Sequence, residues 1–322
     1  MAVIGYHASH EQFPPGRLLS HVVEAERAGF SGAMCSDHFH PWSDRQGNSG
    51  FAWSWLGTAL QATSLPMGVV NAPGQRYNPA IVAQAAATLA EMFPGRFWLA
   101  VGSGEDLNEH ITGGPWPPKA ERNARLLEAV DVIRALWRGE TVNHRGRFTV
   151  ADARLYTLPP EPPLVVGAAV TAETAAWVAT WADALITVDK PFEQLREVVD
   201  AFRGGGGEAK PMLLQSQISY ARSIEEAEAA AHDQWRTNVF SSAVLARLRM
   251  PAEFDQIAEF VRPSDMAGSV RISPDPAQHA EWISRQVELG FSEIHLHNVH
   301  PDQTSFIEDF GQRVLPDLQS GT

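Results

Sequence analysis

The stretch SDHFHPW at residues 36–42 places an acid, two imidazoles and an indole within seven positions: Asp37, His38, His40 and Trp42. An imidazole titrates near neutrality, so it suits either proton transfer or metal ligation. A second stretch, VGSGEDLNE at 101–109, sets Glu105 directly behind a Gly-Ser-Gly turn. Small residues let backbone N–H groups approach a ligand, and a carboxyl group tuned upward by burial can exchange a proton. His38 and Glu105 are therefore candidate proton-transfer groups. The structural alternatives are a hydrogen-bonded packing histidine and a carboxylate meeting a helix macrodipole. A third stretch, HLHN at 295–298, pairs with the first: His38-x-His40 and His295-x-His297 each put two imidazoles on one face of a strand. Some barrel hydrolases hold zinc in this way, so a metal-dependent hydrolase is a competing reading. Phe39 and Pro41 count against it, because they indicate that the chain has left the strand by His40. A non-enzymatic scaffold is the third reading, and its mark would be missing acid–base groups, which are present here.

These residues need elements to position them, and the sequence supplies a regular rhythm. Short apolar runs (3–8, 32–38, 66–72, 97–104, 163–169, 184–188, 210–221 and 293–299) alternate with helix-length segments. Pro79 at the first turn and Pro94-Gly95 beyond the end bracket a helix over 79–93. Such alternation implies parallel strands joined by right-handed crossovers. Eight units with no mid-chain linker point to a (β/α)8 TIM barrel forming one domain over 1–322, with insertions near 39–50, 105–118, 140–163 and 237–270. GGGG at 204–207 reads as a loop, and 240–261 as one extra helical stretch. A doubly wound sheet would carry a Gly-rich turn after strand one, where this chain has YHASHEQF. In a TIM barrel, chemistry sits at the C-terminal ends of the strands. His7 to Glu11, Asp37 to His40, Asn71, Glu105, Asp189-Lys190 and His295 to Asn298 all fall there.

Composition narrows the partners. Net charge is −13 and the hydrophobic share is 44%, as in an ordinary globular protein that avoids nucleic acid and anionic membranes. Cys35 is the one cysteine, so no intrachain disulfide can form, which suits a reducing compartment. No basic-then-apolar leader and no membrane-length run is visible, and a cytoplasmic location is expected.

GYHASHEQF (5–13), SDHFHPW (36–42), the segment RYNPA to HITG (76–113) and WPPKAERNARL (116–126) closely resemble the luciferase-like monooxygenase superfamily. The branch is similar to deazaflavin-dependent glucose-6-phosphate dehydrogenases, and within it the chain most resembles the FMN-dependent oxidoreductases. The resemblance implies a barrel with a flavin-type ring in its mouth. FMN is the first expectation and the deazaflavin coenzyme F420 the alternative. Oxidoreduction by hydride transfer with a small organic substrate is the implied activity, and a reduced-flavin monooxygenase using O2 is the runner-up. The resemblance assigns Asp37 and His38 beside the ring, Trp42 as its aromatic shield, Glu105 as the proton-transfer acid and Glu11 as an acid near the substrate. It assigns cofactor contacts to Ser103, Gly104, Asn108, Gly167, Ala168 and Ala169. Val69, Val70 and Asn71 match a bulge that in relatives holds a cis non-proline peptide, a bond costing about 3–4 kcal/mol. No metal is implied, and a homodimer is. Sugar-phosphate enzymes of the family hold the phosphate with a threonine, two lysines and an arginine. Thr187 and Lys190 match two of these positions, while the others fall near Leu245 and Ser269, with Arg249 and Arg271 as candidate substitutes. His7 replaces the relatives' first-strand lysine, and His40 replaces a glutamine. His7, His40, Thr187 and Lys190 are thus the substrate-binding candidates.

Overall fold

Eight of the apolar runs become parallel strands of one closed barrel in the computed structural model, which describes residues 2–320. In chain order the elements are β1 (Val3–Ala8), α1 (Pro15–Ala28), β2 (Gly32–Ser36), α2 (Ala52–Ala62), β3 (Met67–Asn71), α3 (Pro79–Met92) and β4 (Phe97–Val101). Then come α4 (Asp106–Glu109), α5 (Lys119–Trp137), the hairpin β5 (Val142–Arg145) and β6 (Thr149–Ala153), β7 (Val165–Ala168), α6 (Ala172–Val178), β8 (Ala184–Val188) and α7 (Phe192–Phe202). The chain continues through β9 (Met212–Ser219), α8 (Ile224–Trp235), α9 (Ser242–Leu245), α10 (Pro251–Ile257), β10 (Arg271–Ile272), α11 (Pro276–Glu288), β11 (Glu293–Asn298), α12 (Gln303–Arg313) and α13 (Leu315–Ser320). The barrel runs β1-β2-β3-β4-β7-β8-β9-β11 and closes where Val3 of β1 registers with Glu293 of β11. Each crossover carries a helix, which brings the next strand back parallel to the last. No helix among the described residues is long and apolar enough to cross a membrane.

The strands are buried on both faces, so their period-two alternation separates two cores. Met34, Trp98, Ala100, Val166, Ala184, Ile186 and Leu213 fill the barrel interior. Cys35, Val69, Leu99, Val165, Leu185 and Leu214 point outward and pack under the helices. The large Trp98 ring fits inside because its register partner is Gly68. A Cβ on Gly68 would lie 2.1 Å from the indole, so a side chain is excluded there. The predicted start of the third helix is real: Asn78 caps α3 by accepting from the Ala80 N–H at 3.0 Å, and Pro79 follows at the first turn.

Three expectations change and one strand is added. Residues 203–207 are not a loop but a π-helical turn that continues α7, with Gly206 at φ 102° absorbing the kink. The 240–261 stretch divides into α9 and α10, because Pro251 cannot continue a preceding helix and starts a new one. β10 arises where two residues pair with the end of β9, too short a run to show in the sequence. The cis peptide expected at Val69–Asn71 is absent, and no described residue has one. β3 keeps regular register with β4 through Val70–Ala100 and Asn71–Val101, so the less costly trans geometry is retained without a bulge.

Candidate active site

A cavity of about 1180 Å³ opens at the C-terminal ends of the barrel strands. Most of the predicted residues meet there: His7, Glu11, Asp37, His38, Trp42, Val70, Asn71, Ser103, Gly104, Glu105, Asn108, Ala168, Ala169 and Thr187 line it. Four do not. Val69 packs outward in the helix-facing core. Gly167 faces α6, where a Cβ would lie 2.3 Å from Val178. His40 turns away to stack on His110, with ring centroids 5.2 Å apart, and its Nδ1 meets the Leu107 carbonyl at 2.8 Å. Lys190 donates from Nζ to the Val170 carbonyl at 2.5 Å.

The residues after β2 are held from several sides. Asp37 Oδ2 accepts from Asn71 Nδ2 at 2.8 Å and from Trp53 Nε1 at 3.2 Å. Arg76 donates to the Asp37 backbone carbonyl at 2.6 Å and spans the Asp37 and Glu109 carboxylates at 3.4 and 3.5 Å. Asn108 Oδ1 accepts the N–H groups of Phe39 and His40 at 2.8 and 3.2 Å, which fixes the turn following His38. These contacts set where the His38 ring stands. Its Nδ1 lies 2.7 Å from Glu11 Oε1, somewhat off the line of an ideal hydrogen bond, and the other Glu11 oxygen accepts from the Ser9 hydroxyl at 2.9 Å. Burial alone would lower the imidazole and raise the carboxyl, but each group's charge outweighs that for its neighbour. His38 is therefore raised above its ordinary value, and Glu11 is held well below the carboxylate range.

Glu105 contributes the opposite character. It ends the Gly102–Ser103–Gly104 wall in extended backbone, just before α4. Gly104 sits at φ +79°, a left-handed conformation suited to glycine, and a Cβ there would crowd Glu109, Ala72 and Trp116. Burial pushes the Glu105 carboxyl up, and the charges of His38 and Arg122 pull it only part of the way back. Arg122 is buried, donates to the Gly104 carbonyl at 2.8 Å and lies 4.4 Å over the Trp116 ring. Trp42 meets the His38 ring edge-on at 5.2 Å and is backed by Phe254 at 5.4 Å. One cavity thus holds a carboxylate-backed imidazole biased toward its charged form and a carboxyl group biased toward its neutral form.

The floor is polar and uncharged. The His7 and His297 rings meet at 4.5 Å, tilted by 33°, and burial drives both well below the ordinary imidazole value, His297 to about 4. His297 Nε2 meets the Gln12 amide oxygen at 2.8 Å. His295 lies deeper, against Trp98, so the two histidine pairs do not converge. Among the described residues, no group of three or more His, Cys, Asp or Glu side chains is placed to hold a metal ion.

Arg122, Gln215, Gln217 and Trp235 also line the cavity and were not anticipated. The two glutamines were findable, since they alternate with outward residues on a predicted strand whose inner face leads to the mouth. Arg122 lies within a segment that carried the family resemblance, yet its reach back to Gly104 is a tertiary contact.

Three relatives place the chain among known proteins. A model of the family described as luciferase-like monooxygenase matches residues 1–293. An F420-dependent glucose-6-phosphate dehydrogenase of Beutenbergia cavernae is 35% identical over 335 residues, spanning 99% of this chain and 98% of that protein. One of the same description from Intrasporangium calvum is 36% identical, spanning 99% of both chains. The solved structure of an F420-dependent secondary alcohol dehydrogenase in complex with an F420-acetone adduct superposes with a TM-score of 0.90 at 31% identity, covering 98% of this chain and 99% of that one. These names specify F420, so the expectation that put FMN first gains no support from them.

Proposed function

The chain belongs to the luciferase-like monooxygenase family, and from that premise we propose that it is a deazaflavin-dependent oxidoreductase acting on a small alcohol or sugar-like substrate. The carrying observation is the pairing of two unlike proton-transfer groups in one cavity: His38 backed by Glu11, and Glu105 raised by burial.

The residues present suit a deazaflavin ring. Asp37 Oδ1 and Asn71 Oδ1 are buried without hydrogen-bond partners, which leaves two acceptors for a heterocycle carrying N–H groups. Gly102, Gly104, Ala168 and Ala169 keep the adjoining wall free of bulk, so the ring can lie close to backbone. The cavity exceeds the roughly 300–1,000 Å³ of a typical small-molecule site, leaving room for a substrate beside the coenzyme. Ser103 and Asn108 complete the proposed cofactor contacts. When bound, the deazaflavin supplies the carbon that accepts or returns hydride.

The chain's own residues position the reactants and manage the proton. His38 holds a substrate oxygen through its Nε2 face, while Glu11 fixes the ring and its charge. Glu105 carries a proton to or from the reacting centre, a task suited to a carboxyl raised toward neutrality. Trp42 covers His38 and keeps water from the reacting carbon.

The test is a fluorescence titration with the deazaflavin and with FMN, followed by stopped-flow reduction of the bound deazaflavin. Deazaflavin binding and a fall of about 10²–10⁴-fold in the chemical step for both His38→Ala and Glu105→Gln are expected. Binding of FMN alone, or unchanged rates in both variants, overturns the proposal.

A further inference from the structure

The cavity floor carries polar atoms that nothing in the protein satisfies. Both ring nitrogens of His7 and Nδ1 of His297 are buried without a hydrogen-bond partner. Both residues are 3% exposed, come from the neighbouring strands β1 and β11 and line the same cavity. Gln217 and Trp235 lie among them. A buried polar atom left unpaired is destabilising, so such a cluster is matched to a ligand that supplies the missing partners. An imidazole offers one donor and one acceptor when neutral, and burial keeps His7 and His297 neutral. A hydroxyl group, itself both donor and acceptor, is the complementary ligand.

The charges around the floor narrow the ligand further. Two cations that could meet a phosphate there are already committed. Lys190 is turned to the Val170 carbonyl at 2.5 Å. Arg271 is clasped by both Asp189 oxygens at 2.5 and 3.0 Å, donates to the Lys190 carbonyl at 3.2 Å and lies 4.2 Å over the Phe192 ring. The cations that do line the cavity, Lys119, Arg122 and Arg247, belong to α5 and to the segment after α9 rather than to the strands of the floor. An anionic group on the floor would meet neutral imidazoles, and the nearest charges, Glu11 and His38, are already paired with each other. Burying an uncompensated charge is far more costly than burying a hydroxyl.

We infer that His7, Gln217 and His297 form a neutral hydroxyl subsite that selects an uncharged alcohol or sugar and rejects its phosphate ester. The inference rests on the hydride-transfer reading of this cavity. Its test measures reduction of bound deazaflavin by matched pairs: glucose and glucose 6-phosphate, glycerol and glycerol 3-phosphate, 2-propanol and lactate. The uncharged member of a reacting pair is expected to have at least a tenfold higher kcat/KM. His297→Phe and His7→Phe should each raise its KM about 3- to 10-fold, with a smaller effect on kcat and unchanged deazaflavin affinity. A preference for the anionic member, no reaction with any uncharged member, or an unchanged KM in both variants overturns the subsite. Failure of the deazaflavin to bind the unmodified protein would instead remove the underlying reading.

Discussion

Replacing Glu11 with glutamine isolates one charge in the candidate site. The side chain keeps its size, and its amide oxygen can still accept from the Ser9 hydroxyl, so what is lost is the ion pair with His38. At 2.7 Å, and with an effective dielectric of about 20, the direct attraction is of order 6 kcal/mol. Desolvation of two buried groups cancels part of it, and breaking a buried pair typically costs about 3–5 kcal/mol. Unfolding entropy of about 2.1 cal/mol/K per residue over 322 residues is about 0.68 kcal/mol/K, so a loss of 3 kcal/mol lowers Tm by about 4 °C. The pH dependence has a definite shape. Glu11 is depressed, so its contribution is present above its ordinary value of 4.5 and disappears as acid protonates the folded carboxyl. His38 is raised, so its contribution is complete below 6.5 and disappears as pH climbs through the folded value. Both are present together between about pH 4.5 and 6.5. Thermal melts by circular dichroism on the cofactor-free protein should show the largest Glu11→Gln deficit near pH 5.5, narrowing on the alkaline side. A deficit of the same size from pH 5 to 9, or none at pH 5.5, refutes the pairing.

Other perturbations read other parts of the site. Asn108→Ala leaves the Phe39 and His40 N–H groups without their acceptor; it should cost about 1–3 kcal/mol in denaturant unfolding and slow the chemical step by loosening the turn behind His38. Gly68→Ala drives a methyl into the Trp98 ring and should destabilise by about 1–3 kcal/mol, with the double variant Gly68→Ala/Trp98→Leu recovering part of the loss in the same assay. Because Glu105 is raised by burial, it donates its proton below that raised value; the rate of the proton-donating direction should fall as pH rises through it, and Glu105→Gln should abolish that limb of the stopped-flow profile.

The sequence made the barrel legible because two signals coincide. Apolar runs of strand length recur with helix-length segments between them, and the ionisable residues gather at the strand exits, where a parallel barrel opens. His38 and Glu105 could be singled out by residue type and position alone. The block assignments of Val69–Asn71 and Gly167–Ala169 failed in part for an elementary reason: adjacent strand residues face opposite sides. Val70 and Ala168 reach the cavity, whereas Val69 and Gly167 pack against helices. Period two, carried from Trp98 across its Gly68 and Ala100 neighbours, separates Val70 from Val69 and Ala168 from Gly167, whereas Asn71 and Ala169 reach the cavity only because they stand at the strand exits.

Partners are harder to read than positions. Glu11 and His38 were each visible, but their contact depends on the register of β1 with β2, where His7 meets Met34 and Ala8 meets Cys35. A lysine or an arginine in the sequence looks like a free cation until its neighbours are known. Lys190 and Arg271 both stand at strand ends in the right part of the barrel, yet a carbonyl holds one and a carboxylate holds the other. His40 sits two residues from His38 and belongs to a different surface, stacked on His110. The chemistry available to a ligand is therefore set by what remains after these internal contacts are made. On the floor of this cavity the remainder is two neutral imidazoles, and they support the inferred preference for an uncharged substrate.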